Sequence, residues 1–178
     1  SNIELTLSTL AELSKRNLFD YSVIILCNVH NLPFGYEQEL EKFVLRGGAL
    51  FITLGNQVDA KFYNEKLGNI LPVFLKSVYQ IAKNDEPFRF LIKPSKHPVL
   101  KVFKELTLEE MKSVEFQSIY RVEAREDSKF TTPIVFSKKL PALIESTTGK
   151  GKVILFVSSI DRDWNNFPIQ PTFLPWIQ

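Results

Sequence analysis

Three short apolar runs, a helix held between two of them, and alternating segments in the second half together predict an α/β fold. The sheet is expected to be mainly parallel, with an antiparallel extension in the second half. The runs are Val23–Cys27, Leu50–Leu54 and Val153–Val157, each apolar along nearly its whole length. Continuous runs of this kind belong to strands covered on both faces.

Taken in order, Ile3-Glu4-Leu5-Thr6-Leu7 alternates as a half-buried strand does. Ser8 or Thr9 suits the N-cap of a short helix through Lys15. Tyr21–Cys27 is the first buried strand, and Asn28 to Gly35 is a loop. From Tyr36, apolar residues fall at Leu40, Phe43 and Val44, with Glu37, Glu39, Glu41 and Lys42 on the wet side of a helix. Gly47-Gly48 caps it, and Ala49–Leu54 follows as the second buried strand. Strand, helix and strand make a right-handed βαβ crossover. Beyond Gly55, a helix is expected from Ala60 to Gly68 and a strand over Phe88–Ile92. Ile70–Tyr79 is apolar but broken by Pro72. His97-Pro98 opens a helical patch, Val99–Glu105, and Glu115–Ala124 alternates as a strand. Pro133–Phe136 and Leu140–Ser146 read as antiparallel neighbours. Thr148–Lys152 is a turn into the third buried strand.

With 178 residues the chain forms one domain, long enough for a real core. Its 22 Lys+Arg against 20 Asp+Glu give no bulk attraction to nucleic acid, which is not an expected partner. One cysteine forbids an internal disulfide, and with two histidines it leaves little for a zinc site. No metal and no cofactor is expected. No apolar run approaches the roughly 20 residues that span a bilayer, so direct membrane insertion by this stretch is not expected. Ser1-Asn2 reads as a cloning remnant and Phe173–Ile177 as an unusually apolar end. The chain is therefore expected to be a piece of a longer protein.

Cys27 ends an apolar strand and reads as a buried structural thiol rather than a nucleophile. His30 follows in the loop at that strand's C-terminal end, where open α/β sheets place ligands. His97 is read as ordering a helix start. Gly149-Lys150-Gly151-Lys152 precedes a strand, so it is a hairpin turn and not a phosphate loop, which needs a helix after it. Asp161-Arg162-Asp163-Trp164 lies just past a buried strand on the same ligand edge. Its two acids suit a metal or an acid–base pair; the structural reading has them paired with Arg162 or accepting backbone N–H groups, with Trp164 packed down.

Asp20–Val29 resembles a strand of class I glutamine amidotransferase-like domains, and Leu40–Gly55 is similar to the helix and strand that follow there. His97-Pro98, Gly149–Val153 and Ser158–Pro168 resemble later landmarks of one subgroup, found in large bacterial membrane proteins of the aerotolerance-operon (Bat) type. The likeness spans most of the chain. It implies a three-layer flavodoxin-like sheet, with the usual first strand upstream of Ser1 and Ile3–Leu7 either an exposed edge or paired with a neighbour. A working member carries a cysteine on a Gly-x-Cys-x-Gly elbow. Here the elbow reads Gly55-Asn56-Gln57-Val58-Asp59, and neither amide attacks a carbonyl as a thiolate does. The family's His-x-Glu pair is replaced by Ser158-Ser159-Ile160-Asp161.

The resemblance thus implies a pseudoenzyme: a non-catalytic binding or scaffolding domain of a larger, membrane-anchored bacterial protein. Its partners would be other domains of the same parent or a membrane-complex protein. Two alternatives stay open at the C-terminal edge of the sheet. One is a hydrolase or small-molecule site built from Asn28, His30, Gly55, Asn56, Gln57, Asp161 and Asp163. The other is a carbohydrate site that stacks sugars on Trp164 and Tyr63.

Overall fold

The computed structural model describes residues 3–13, 15–92, 97–100, 110 and 112–177. Among these, eight strands form two sheets: β1 (Val23–Cys27), β2 (Ala49–Thr53), β3 (Val73–Gln80), β4 (Phe90–Leu91), β5 (Ser118–Ala124), β6 (Thr131–Phe136), β7 (Pro141–Thr148) and β8 (Gly151–Phe156). The α-helices are α1 (Leu10–Leu13), α2 (Tyr36–Leu45), α3 (Ala60–Lys66) and α4 (Phe173–Ile177). Of the expected patch Val99–Glu105, a 3₁₀ turn covers Pro98–Leu100; residues 101–105 lie outside the described residues.

The larger sheet runs β1-β2-β8-β7-β6-β4, and β3 pairs with β5 in a separate ribbon. Only β1–β2 and β2–β8 are parallel. The pairs β8–β7, β7–β6, β6–β4 and β3–β5 are antiparallel. This corrects the expected fold class: the sheet is mixed and mostly antiparallel, not a mainly parallel, three-layer flavodoxin-like sheet. The cause lies in the connections. Parallel neighbours need a crossover of about a dozen residues or more. The links from β6 to β7 and from β7 to β8 are far shorter and admit only hairpins.

The run of five apolar residues in β1 predicts cover on both faces, yet β1 is an edge strand in which Val23 is 52% and Ile25 39% exposed. Cys27 is likewise exposed rather than buried. β2 and β8 do occupy the interior: Leu50, Ile52, Val153 and Leu155 are fully buried. Ile3–Leu7 forms no strand, and its three apolar side chains stand in solvent. Helix α1 is shorter than the helix expected through Lys15, and at its start the Thr9 N–H donates to Glu12 Oε2 at 2.9 Å, the reverse arm of a capping box.

Helix α2 buries Leu40, Phe43 and Val44 as its spacing predicts, and buries Glu37 as well, against expectation. It ends in a Schellman motif: Gly48 N–H donates to Phe43 O at 3.0 Å and Gly47 N–H to Val44 O at 2.9 Å. On the sheet, Phe51 and Phe156 meet Trp176 of α4 at 5.8 and 5.1 Å between centroids. Phe90, Phe116 and Phe167 pack on Phe156 at 5.9–6.5 Å, and Phe136 packs on Phe90 and Phe116 at 5.6 and 4.8 Å. Edge-on ring pairs contribute about 0.5–1.5 kcal/mol each beyond their burial. The ribbon is fastened to the end of β8, where Tyr120 N–H donates to Val157 O at 2.8 Å and Ser158 Oγ to Ser118 O at 2.9 Å.

Gly151 opens β8 directly against the end of α2, and a Cβ there would collide with the carbonyl oxygens of Val44 and Gly48. Both belong to backbone that the cap holds in place. Gly151→Ala is therefore expected to cost ~3 kcal/mol, read as a fall in Tm of roughly 6–12 °C. A melting curve superimposable on the wild type would contradict this close approach.

Candidate functional site

The C-terminal ends of β1, β2 and β8 lie side by side, because these three strands run parallel. Their outgoing loops carry all the residues read from the sequence as a ligand edge. Asn28 follows β1 in a left-handed conformation, φ 49°. Its Oδ1 accepts the Gln57 N–H at 3.0 Å and its Nδ2 donates to Asn56 Oδ1 at 2.9 Å. Asn56 Nδ2 in turn donates to Asp163 Oδ2 at 3.2 Å. A chain of two amides and a carboxylate thus ties together three loops from distant parts of the sequence. Gly55 makes room for it, since a Cβ there would collide with the Asn28 side-chain amide.

The remaining expected residues take supporting places. His30 Nδ1 lies 2.7 Å from Gln57 O; a carbonyl only accepts, so this nitrogen carries the proton. Asp161 Oδ1 accepts the Asp163 N–H at 3.0 Å, an Asx turn that aims the second acid at Asn56. No ion pair among the described residues joins Arg162 to either acid, which corrects that part of the structural reading. Trp164 is buried and packs on Tyr120 at 5.7 Å, and Tyr63 is buried completely. Neither ring is an open stacking platform, so the stacking site expected at Trp164 and Tyr63 does not form. His97 pairs with Glu145 at 3.2 Å, far along the chain from this edge. Among the described residues, no three His, Cys, Asp or Glu side chains gather as a metal site would require.

Desolvation pushes the Cys27 thiol up from its ordinary pKa, and the nearby Asp161 carboxylate adds to the effect. Both disfavour the thiolate, which is the nucleophilic form. The loops themselves are pinned by two phenols. Tyr63 on α3 donates to Val29 O at 2.9 Å, and Tyr120 on β5 donates to Val58 O at 3.1 Å. Burial raises the pKa of both hydroxyls.

A groove of about 540 Å³ opens beside the amide chain. It is lined by Asn56, Asp163 and Trp164 together with Val78 and Gln80 of β3 and Gln117 and Ser118 at the start of β5. The ribbon residues carry no signal in the sequence. A glutamine on a strand reads as a wet-face residue until the register, Gln80 opposite Ser118, is known.

The phenols make the site loops sensitive to alkali. Unfolded tyrosines ionise near pH ~10, while Tyr63 and Tyr120 keep their protons to higher pH in the fold. Their contribution to stability is complete below about pH 10 and is lost as pH rises through their folded values. Phenolate absorbance of the native protein should therefore show at least two of the five tyrosines ionising late. Tm should fall less steeply above about pH 10 in Tyr63→Phe. Simultaneous ionisation of all five in the folded protein would contradict the buried hydroxyl contacts.

No family model matches the chain, and no curated protein matches it. Its fold is similar to that of a cytoplasmic protein of Salmonella typhimurium, with a TM-score of 0.71 and 17% identity over 97% of this chain and 73% of that one. A second cytoplasmic protein, from Salmonella typhimurium LT2, aligns with a TM-score of 0.64 and 19% identity over 88% of this chain and 66% of that one. A GH42 β-galactosidase from G. stearothermophilus aligns with a TM-score of 0.61 and 12% identity. There the match covers 92% of this chain but only 22% of the enzyme. At these identities the likeness is one of fold alone.

Proposed function

We propose that this chain is a non-catalytic, amidotransferase-like binding domain that works as one part of a larger protein. The observation that carries the reading is the occupied elbow after β2. Where a working amidotransferase-like site needs a free thiolate, Asn56 stands with both ends of its amide already bonded, to Asn28 and to Asp163. The one cysteine lies on β1, with its thiolate disfavoured. A locked polar network of this kind positions groups for recognition and supplies no nucleophile. The partial coverage of longer structural neighbours supports the reading as one domain among several. Among the described residues no helix is long and apolar enough to cross a membrane. On this reading a membrane anchor belongs to another part of the parent, and the partners are its other domains or a protein of the same membrane complex.

The purified chain, incubated with glutamine and with chromogenic glycosides, is expected to release neither ammonia nor chromogen above background. Ammonia release that disappears in Cys27→Ser, or glycoside cleavage that disappears in Asp163→Asn, would overturn the non-catalytic reading.

A further inference from the structure

We propose that the groove between the β3–β5 ribbon and the loops after β2 and β8 binds a neutral polyhydroxylated ligand, a sugar or short oligosaccharide, through Asn56, Gln80, Gln117 and Asp163. The proposal deepens the binding-domain reading and rests on it.

The argument begins with charge. Among the described residues, the groove is lined by three side-chain amides, one hydroxyl and one carboxylate, and by no lysine, arginine or histidine. A phosphate or carboxylate ligand would meet Asp163 with no counter-charge to offset it. An apolar ligand fares no better, because among the described residues Val78 and the buried Trp164 are the only apolar side chains in the lining. Each hydroxyl of a sugar both donates and accepts, and so does each primary amide.

The second point is availability. The side chains of Gln80 and Gln117 make no hydrogen bond to any other described residue. Asp163 engages one oxygen with Asn56, leaving the other to accept from a ligand. Asn56 and Asp163 are held in place by the Asn28 amide and by the Asx turn at Asp161, so that part of the lining is formed before a ligand arrives. Val78, 44% exposed, gives the lining a small apolar patch suited to the C–H face of a sugar ring. The groove's size, about 540 Å³, falls within the range of small-molecule sites. Recognition here runs through planar amides in place of the aromatic stacking expected at Trp164 and Tyr63.

The test is a titration followed by two-dimensional amide NMR. Glucose, galactose, mannose, cellobiose and lactose are added at millimolar concentrations, with inorganic phosphate and glutamate as anionic comparators. At least one sugar is expected to shift the side-chain amide signals of Asn56, Gln80 and Gln117 saturably, while the anions leave them in place. The double variant Gln80→Ala/Gln117→Ala, exposed at both positions, should keep the wild-type Tm and bind that sugar roughly tenfold more weakly or worse. If no sugar moves these signals, if the anions move them instead, or if the double variant binds as the wild type does, the proposal fails. Those outcomes leave the non-catalytic reading untouched, since that reading falls only if turnover of glutamine or a glycoside is found.

Discussion

The parallel pairing of β2 with β8 is the constraint on which the rest of the structure depends. It sets Ala49 beside Lys152 and Thr53 beside Phe156, joining residues about a hundred positions apart. At its start, Gly151 lies against the backbone at the end of α2, and Lys150 N–H donates to Leu45 O at 3.1 Å. At its end, Leu54 N–H donates to Phe156 O at 3.1 Å, carrying the pairing into the site loops. The early strand–helix–strand unit and the late β7–β8 hairpin thus meet along one seam. Between them in the chain, β4 and β6 extend the sheet beyond β7, while β3 and β5 form an excursion outside it.

The excursion explains why the polar edge is a groove and not a bare rim. β3 and β5 pair with each other rather than with the sheet, and the start of β5 is clamped beside the loop after β8 by bonds to Trp164 O and Val157 O. This brings Gln80 and Gln117 into one groove with Asn56 and Asp163. The phenols of Tyr63 and Tyr120 add two cross-links from outside the sheet to the loops themselves. A site held from four elements in this way has little freedom to rearrange, which suits recognition of a fixed shape more than a chemical cycle.

Much of this was legible in the residues. Helix α2 and its cap, the two hairpins, and the burial of β2 and β8 followed from periodicity and turn chemistry. Asn28, Asn56, Gln57 and Asp163 were placed at one edge from the rule that loops after parallel strands gather there. The order of the strands was not legible, because it is set by pairing between distant segments. A run such as Val23–Cys27 looks the same whether one face or two will be covered; only its position beside β2 alone decides that Val23 and Ile25 stay open. The same error carried Cys27 into the interior. Alternation at Ile3–Leu7 described a strand that has no partner in the sheet. Gln80 and Gln117 were invisible for a related reason: their role exists only in the register of the ribbon.

The late arrival of β8 also has a consequence for how the chain comes into being. During synthesis α2 and β2 emerge early, and β2 then waits with one edge unpaired until Gly151–Phe156 has left the ribosome. Contacts of such long sequence separation close slowly, since the entropy of joining distant segments is lost before the pairing is gained. Through that interval the nascent chain offers Ala49–Thr53, an uncharged segment, as a template for other strands. A cell making this protein therefore faces a period of vulnerability that the finished sheet, with β2 enclosed on both sides, no longer displays.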